Sequence, residues 1–164
     1  MNELKILKGK RLLIVDDEPD VLETLGELLD MCRIDFARYF EDAQELLKKN
    51  SYDVAVFDIM GVRGYRLLDI AVHKGIPALM FTAHALSPDD LVKSIDRGAK
   101  AYIPKEKMAE IGEYLAELLR DQKKGQPHTR WFEKLGSFFD RQFGSDWTDT
   151  RKDFVDKNDW LFPY

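Results

Sequence analysis

Along the first 124 residues, short apolar runs rich in Val, Ile and Phe alternate with longer stretches in which apolar positions recur every three or four residues. The runs at 11–15, 34–39, 54–57, 78–81 and 101–103 predict five strands, the second being the weakest. The stretches at 20–31, 41–49, 64–72, 87–97 and 107–123 predict five helices. Local signals support these boundaries. Ser87-Pro88-Asp89-Asp90 supplies an N-cap, a proline at the first helical position and an acidic first turn, while Gly75 and Gly98 stand where helices should stop. The runs at 11–15, 54–57 and 78–81 are apolar at nearly every position, so both faces of those strands should be covered. The pattern predicts an α/β fold, a doubly wound five-stranded parallel sheet between two helical layers.

Beyond this alternation the chain changes character. The linker-like segment Lys123-Lys124-Gly125-Gln126-Pro127 divides a domain at 1–124 from an extension at 125–164. The last 40 residues hold ten aromatics, including all three Trp, against nine in the 124 residues before them. Trp131, Phe132, Leu135, Phe138, Phe139 and Phe143 form one stripe at helical spacing, which must be buried against something. A second, weaker helical pattern starts near Ser145 or Asp146 and carries Trp147, Phe154, Val155 and Trp160. The final Trp160-Leu161-Phe162-Pro163-Tyr164 is an apolar segment that should dock or bind. Two readings of the extension stay open: it folds back over its own domain, or it mediates self-association as a homodimer or grips a partner.

Composition narrows the function. The 164 residues suit one domain with an appendage, and 45% hydrophobic content suffices for a packed core. A net charge of −5 has the wrong sign for coating nucleic acid. The longest apolar run, 76–81, is far below the ~20 residues needed to span a bilayer. No membrane role is expected, and with no signal-peptide core in the first 20 residues the expected compartment is the cytoplasm. The extension mixes Glu133, Lys134, Asp140 and Arg141 without basic excess, which disfavours a membrane-surface helix and a DNA-binding one. One cysteine, Cys32, expected to be a small buried residue at a helix end, excludes an internal disulfide and a multi-thiolate metal site. His84 reads as a surface residue.

In an open parallel sheet, ligands bind beyond the carboxyl ends of the strands. The first strand ends in Asp16-Asp17-Glu18, the third in Asp58, the fourth in Thr82-Ala83 and the fifth in Pro104-Lys105. Carboxylates gathered on one rim repel, and a nearby lysine or a hard divalent cation with oxygen ligands relieves the repulsion. Mg²⁺ is the natural occupant. Such an ion, with Lys105 and the Thr82 hydroxyl, would surround a phosphoryl group with positive charge and donors and leave one carboxylate to attack phosphorus.

The segment Leu12-Leu13-Ile14-Val15-Asp16-Asp17-Glu18-Pro19, with Val54 to Asp58, Thr82-Ala83 and Lys105, resembles a response-regulator receiver domain over about residues 8–123. The resemblance implies a flavodoxin-like strand order of 2-1-3-4-5. It implies that Asp58 accepts phosphate from a histidine kinase or phosphotransfer protein, with Asp16, Asp17, Asp58 and the backbone carbonyl of Met60 holding Mg²⁺. Lys105 would grip a phosphoryl oxygen, Thr82 would move toward the phosphate, and Tyr102 would be the switching aromatic. The implied function is a phosphorelay switch, a stand-alone receiver whose output is contact with a downstream protein. Two features depart from the family pattern. The loop after Asp58 is short and lacks its proline, and Lys105 is followed by Glu106 rather than by a cis proline, so Glu106 becomes a competitor for the ammonium. The alternative function is an aspartyl-phosphate phosphohydrolase on a related sheet. That chemistry needs a second Asp two residues after the nucleophile, where this chain has Met60.

Overall fold

In the computed structural model, described over residues 3–83 and 86–162, five strands form one all-parallel sheet in the order β2-β1-β3-β4-β5. The strands are β1 (Arg11–Val15), β2 (Arg33–Ala37), β3 (Val54–Phe57), β4 (Ala78–Thr82) and β5 (Ala101–Pro104). The helices between and after them are α1 (Pro19–Leu28), α2 (Phe40–Lys49), α3 (Gly64–His73), α4 (Pro88–Asp96) and α5 (Ile111–Lys123). His84 lies outside the described residues.

The central strands are buried on both faces, as their unbroken apolar runs demand: every residue of β3, β4 and β5 is buried, and so is β1 from Leu12 to Val15. At the edge, β2 is mostly uncovered, with only Ala37 buried and Phe36 exposed. Ser87 caps α4 as its sequence predicts, its hydroxyl accepting the Asp90 N–H at 3.1 Å. A 3-10 turn at Lys105–Glu110, broken at Lys107, precedes α5 and delays its start to Ile111. The N-terminal 3-10 turn Glu3–Leu7 packs on α5 and was not signalled by periodicity. Cys32 is half-buried just ahead of β2 rather than at a helix end, its thiol donating to the Leu7 carbonyl at 3.4 Å. Burial, with the nearby Asp30, pushes that thiol up to about 11, which keeps it unreactive.

The extension forms α6 (Arg130–Phe143) and α7 (Lys152–Lys157). Its aromatic stripe folds back onto its own chain: Trp131, Leu135, Phe138 and Phe139 are buried. Phe139 stands over Tyr102 of β5 with ring centroids 6.2 Å apart. Lys134 pairs with Glu117 of α5, Arg151 with Asp89 of α4 at 2.9 Å, and the Asn158 amide donates to Asp96 of α4 at 3.3 Å. The extension therefore lies across α4, β5 and α5. Each large side chain sealed there contributes about 1.5–3 kcal/mol of transfer free energy. Trp147 belongs to the turn between the two helices, where its indole N–H donates to Asp140 at 3.2 Å.

Candidate functional site

Strand register explains how residues distant in sequence meet. β1 and β3 run side by side with Val15 opposite Phe57, so Asp16 and Asp58 leave the sheet together. β4 and β5 pair with Thr82 opposite Pro104, which brings Lys105 off the same rim. Asp16 and Asp58 are buried, while Asp17 and Glu18 are exposed. Carboxylate oxygens of these four residues all lie within 4.8 Å of one another.

One cation holds three of them. The Lys105 Nζ is 2.8 Å from Asp16 Oδ2, 2.9 Å from Glu18 Oε1 and 3.2 Å from Asp58 Oδ2. Burial works against the lysine's charge, but its hydrogen bonds to Asp16 and Glu18 and the charge of Asp58 outweigh burial and raise its pKa. Asp16 moves the other way for a carboxylate that must ionise: burial raises its pKa despite the bonds from Lys105 and the Glu18 N–H. The second oxygen of Asp58 accepts its neighbour's amide, Ile59 N–H, at 2.8 Å. The free direction of this carboxylate cluster is toward Asp17, Glu18 and solvent.

The loop after Asp58 closes without a proline. Gly61 adopts φ +82° and Arg63 adopts φ +53°, turning the chain so that the Gly64 N–H bonds the Ile59 carbonyl at 3.1 Å. Both glycines also permit close approach: a Cβ on Gly61 would run into the Asp17 carboxylate, and one on Gly64 into the Asp58 carbonyl. Met60 sits at the exposed crest of this turn, 54% accessible. Thr82 is buried at the end of β4.

Tyr102 is fully buried rather than at a sheet-edge surface, because α6 covers that edge. Its hydroxyl accepts the Ser87 N–H at 3.2 Å, and burial raises its pKa. Among the described residues no peptide bond is cis, in accord with Glu106 following Lys105. Glu106 is not the residue that competes for the ammonium; Glu18 is. Neighbours along a helical turn do not face each other, whereas Glu18 leaves β1 toward the lysine. Sequence reasoning also missed Tyr65, whose hydroxyl donates to the Asp90 carboxylate across α3 and α4. Its only signal was an aromatic at the second position of a helix that begins beside the candidate site.

A hard cation fits this set. All four clustered side chains offer carboxylate oxygens, the donors Mg²⁺ prefers, and two of them are buried against the Lys105 ammonium.

Comparison with known proteins covers the same region. Residues 12–116 match the response regulator receiver domain. The two-component response regulator ARR18 of Arabidopsis thaliana is 35% identical over 103 residues, 59% of this chain and 16% of that protein. The response regulator protein PilR of Pseudomonas aeruginosa is 30% identical over 105 residues, covering 60% of this chain and 23% of that protein. The chain thus spans less than a quarter of the length of these relatives. Among solved structures, a CheY-like receiver domain protein from Methanospirillum hungatei is 27% identical with a TM-score of 0.65, covering 72% of this chain and 99% of that one. A putative response regulator from Chloroflexus aurantiacus is 28% identical with a TM-score of 0.60, covering 68% and 98%. The family match ends before α6, so the aromatic extension lies outside it. With its sheet order, its rim of acids and lysine, and this match over most of its length, the chain belongs to the response regulator receiver domain family.

Proposed function

We propose that the protein is a phosphorelay switch in which Asp58 accepts a phosphoryl group from a histidine kinase or phosphotransfer protein. The observation that carries this reading is the convergence of Asp16, Asp17, Glu18 and Lys105 around the Asp58 carboxylate. An Asp58 oxygen attacks phosphorus, the P–N bond of the donor phosphohistidine breaks, and its electron pair returns to the imidazole. Lys105 then exchanges its carboxylate contact for a phosphoryl oxygen, and the Thr82 hydroxyl donates to another. Asp16, Asp17, Asp58 and the Met60 carbonyl would hold Mg²⁺, which offsets charge building on the transferring group. Gly61, lacking a Cβ, leaves the Asp17 carboxylate the space it occupies beside the turn. The chain divides at 124/125 into this receiver and an extension, its output is contact with another protein, and its compartment is the cytoplasm.

The direct test is labelling with acetyl phosphate and Mg²⁺. One hydroxylamine-labile phosphoryl group per chain is expected, and none on Asp58→Asn. Equal labelling of that variant would move the acceptor elsewhere. Steady turnover of a phosphomonoester, instead of one stoichiometric labelling, would replace the switch by a phosphohydrolase.

A further inference from the structure

At the rim of the sheet opposite the acid cluster, receiver and extension border a cavity of about 510 Å³. Lys100, which lines it, directly precedes β5 and marks that rim, whereas Asp16, Asp58 and Lys105 follow the carboxyl ends of their strands. Leu118 of α5, Pro127 of the linker and Trp160 of the 3-10 turn Asp159–Leu161 give the cavity apolar walls. Small-molecule sites are built this way, with volumes of roughly 300–1,000 Å³ and a few polar groups among apolar ones. The polar groups here are the Lys100 ammonium, the amides of Gln122 and Gln126, and the His128 imidazole. Although the chain holds 30 acidic residues, none of the described ones lines the cavity. His128 supplies a second sign of a ligand. Its Nδ1 meets Asp121 at 2.9 Å, while its Nε2 is buried without a partner. Burial lowers this histidine's pKa, so near neutral pH the ring is uncharged. Nδ1 then carries the proton that bonds Asp121, and Nε2 is an acceptor with no donor. A buried acceptor left unmet is costly, and a ligand that brings a donor to it recovers the cost.

We propose that this cavity binds a small aromatic carboxylate that carries a hydroxyl group. Each part of that chemistry answers a group in the lining. One ammonium with no acid beside it selects an anion, and a single charge suits a carboxylate better than a phosphate dianion. The indole of Trp160, with Leu118 and Pro127, suits a flat ring, which buries much area at little entropic cost. The hydroxyl donates to His128 Nε2, the donor that nitrogen lacks. Of the seven lining residues only Lys100 falls within the 12–116 match to the receiver family, so the site is a property of this chain's extension. It owes nothing to chemistry at Asp58. Because Trp160 is part of the wall, the site is complete only while the extension is docked. A ligand bound there therefore holds the extension in place by mass action, reducing undocking by a factor of one plus the ratio of free ligand to Kd.

Three matched probes dissect the site: 6-hydroxy-2-naphthoate, 2-naphthoate without the hydroxyl, and 2-naphthol without the carboxylate. Each is titrated calorimetrically into the full, unphosphorylated chain at about pH 7.5, above the ordinary histidine value. The hydroxynaphthoate should bind one per chain and more tightly than either partner, losing about three- to tenfold without its hydroxyl. Lys100 is exposed, so Lys100→Met leaves the core intact. That variant should weaken both carboxylates about three- to fivefold and leave 2-naphthol unchanged. Trp160→Ala should weaken all three. The His128 Nε2 nitrogen resonance should respond to the two hydroxyl-bearing probes more than to 2-naphthoate. At ten times its Kd, the hydroxynaphthoate should slow amide exchange across α6 and α7 about tenfold wherever exchange requires undocking. No saturable binding up to millimolar hydroxynaphthoate would overturn the site. So would affinities unaltered in both Lys100→Met and Trp160→Ala, or unchanged α6 and α7 exchange at saturation, since the probe would then sit elsewhere. Equal affinity for all three probes would overturn the assigned ligand class. None of these failures touches the assignment of Asp58, which is read by acetyl phosphate labelling alone.

Discussion

Lys105 neutralises a cluster that would otherwise repel itself, and its removal is informative. Asp16 and Asp58 are 2% and 1% exposed, so neither charge is relieved by water. Taking one member from a buried ion-pair group costs about 3–5 kcal/mol. Lys105→Met is therefore expected to lose stability on that scale near neutral pH, measured by urea unfolding without divalent cation, and to regain much of it with Mg²⁺. The pH sign follows from Asp16. Burial raises its folded pKa, so the folded state holds a proton the unfolded state has released, and stability declines as pH rises through that interval. The Lys105→Met penalty should accordingly grow from acid to neutral pH. A second test separates strain from crowding at the turn after Asp58. Gly61→Ala and Gly9→Ala both place Ala at positive φ, +82° and +76°, but only the former meets a neighbour, the Asp17 carboxylate. Both should destabilise by about 1 kcal/mol or more. Only Gly61→Ala should also weaken Mg²⁺ binding, measured by titration.

Secondary elements show what sequence can carry. All five strands and the helices between them follow from periodicity, because runs sealed on both faces and amphipathic stripes leave their periods in the chain. Ends were less legible where local polarity competes. The second helix of the extension starts at Lys152, not near Ser145, because Ser145, Asp146, Thr148, Asp149 and Thr150 favour turns by bonding their own backbone. The acids and lysine of the site were legible because each directly follows a strand. Glu18's hold on Lys105 and the Tyr65–Asp90 bond were not, since they depend on how neighbouring elements pack. The stripe on α6 announced burial without naming its target, and only the packed structure shows that target to be Tyr102 and α5. Gly136 in α6 has open space where a Cβ would stand. Gly136→Ala should stabilise the helix by about 0.5–1 kcal/mol, raising the unfolding midpoint read by tryptophan emission. Phe139→Ala should do the opposite, by about 3 kcal/mol or more.

At the scale of the whole molecule, the extension and receiver are joined by a titratable contact between His128 and Asp121. His128, at the entrance to α6, meets Asp121 of α5 through Nδ1 at 2.9 Å, while its Nε2 is buried without a partner. Asp121 and Glu117 favour the imidazolium and Arg130 opposes it, but burial prevails and lowers the histidine below its ordinary 6.5. The unfolded or undocked chain therefore binds the proton more readily than the docked one. Above pH 6.5 this site imposes no proton cost; as pH falls from there toward the lowered value, docking loses stability progressively. Tryptophan emission, confined to the extension, should move to the red over that interval, and His128→Gln should flatten the response. An emission profile for His128→Gln identical to that of the unaltered chain would assign the acid sensitivity to the carboxylates on α4 and α5 instead.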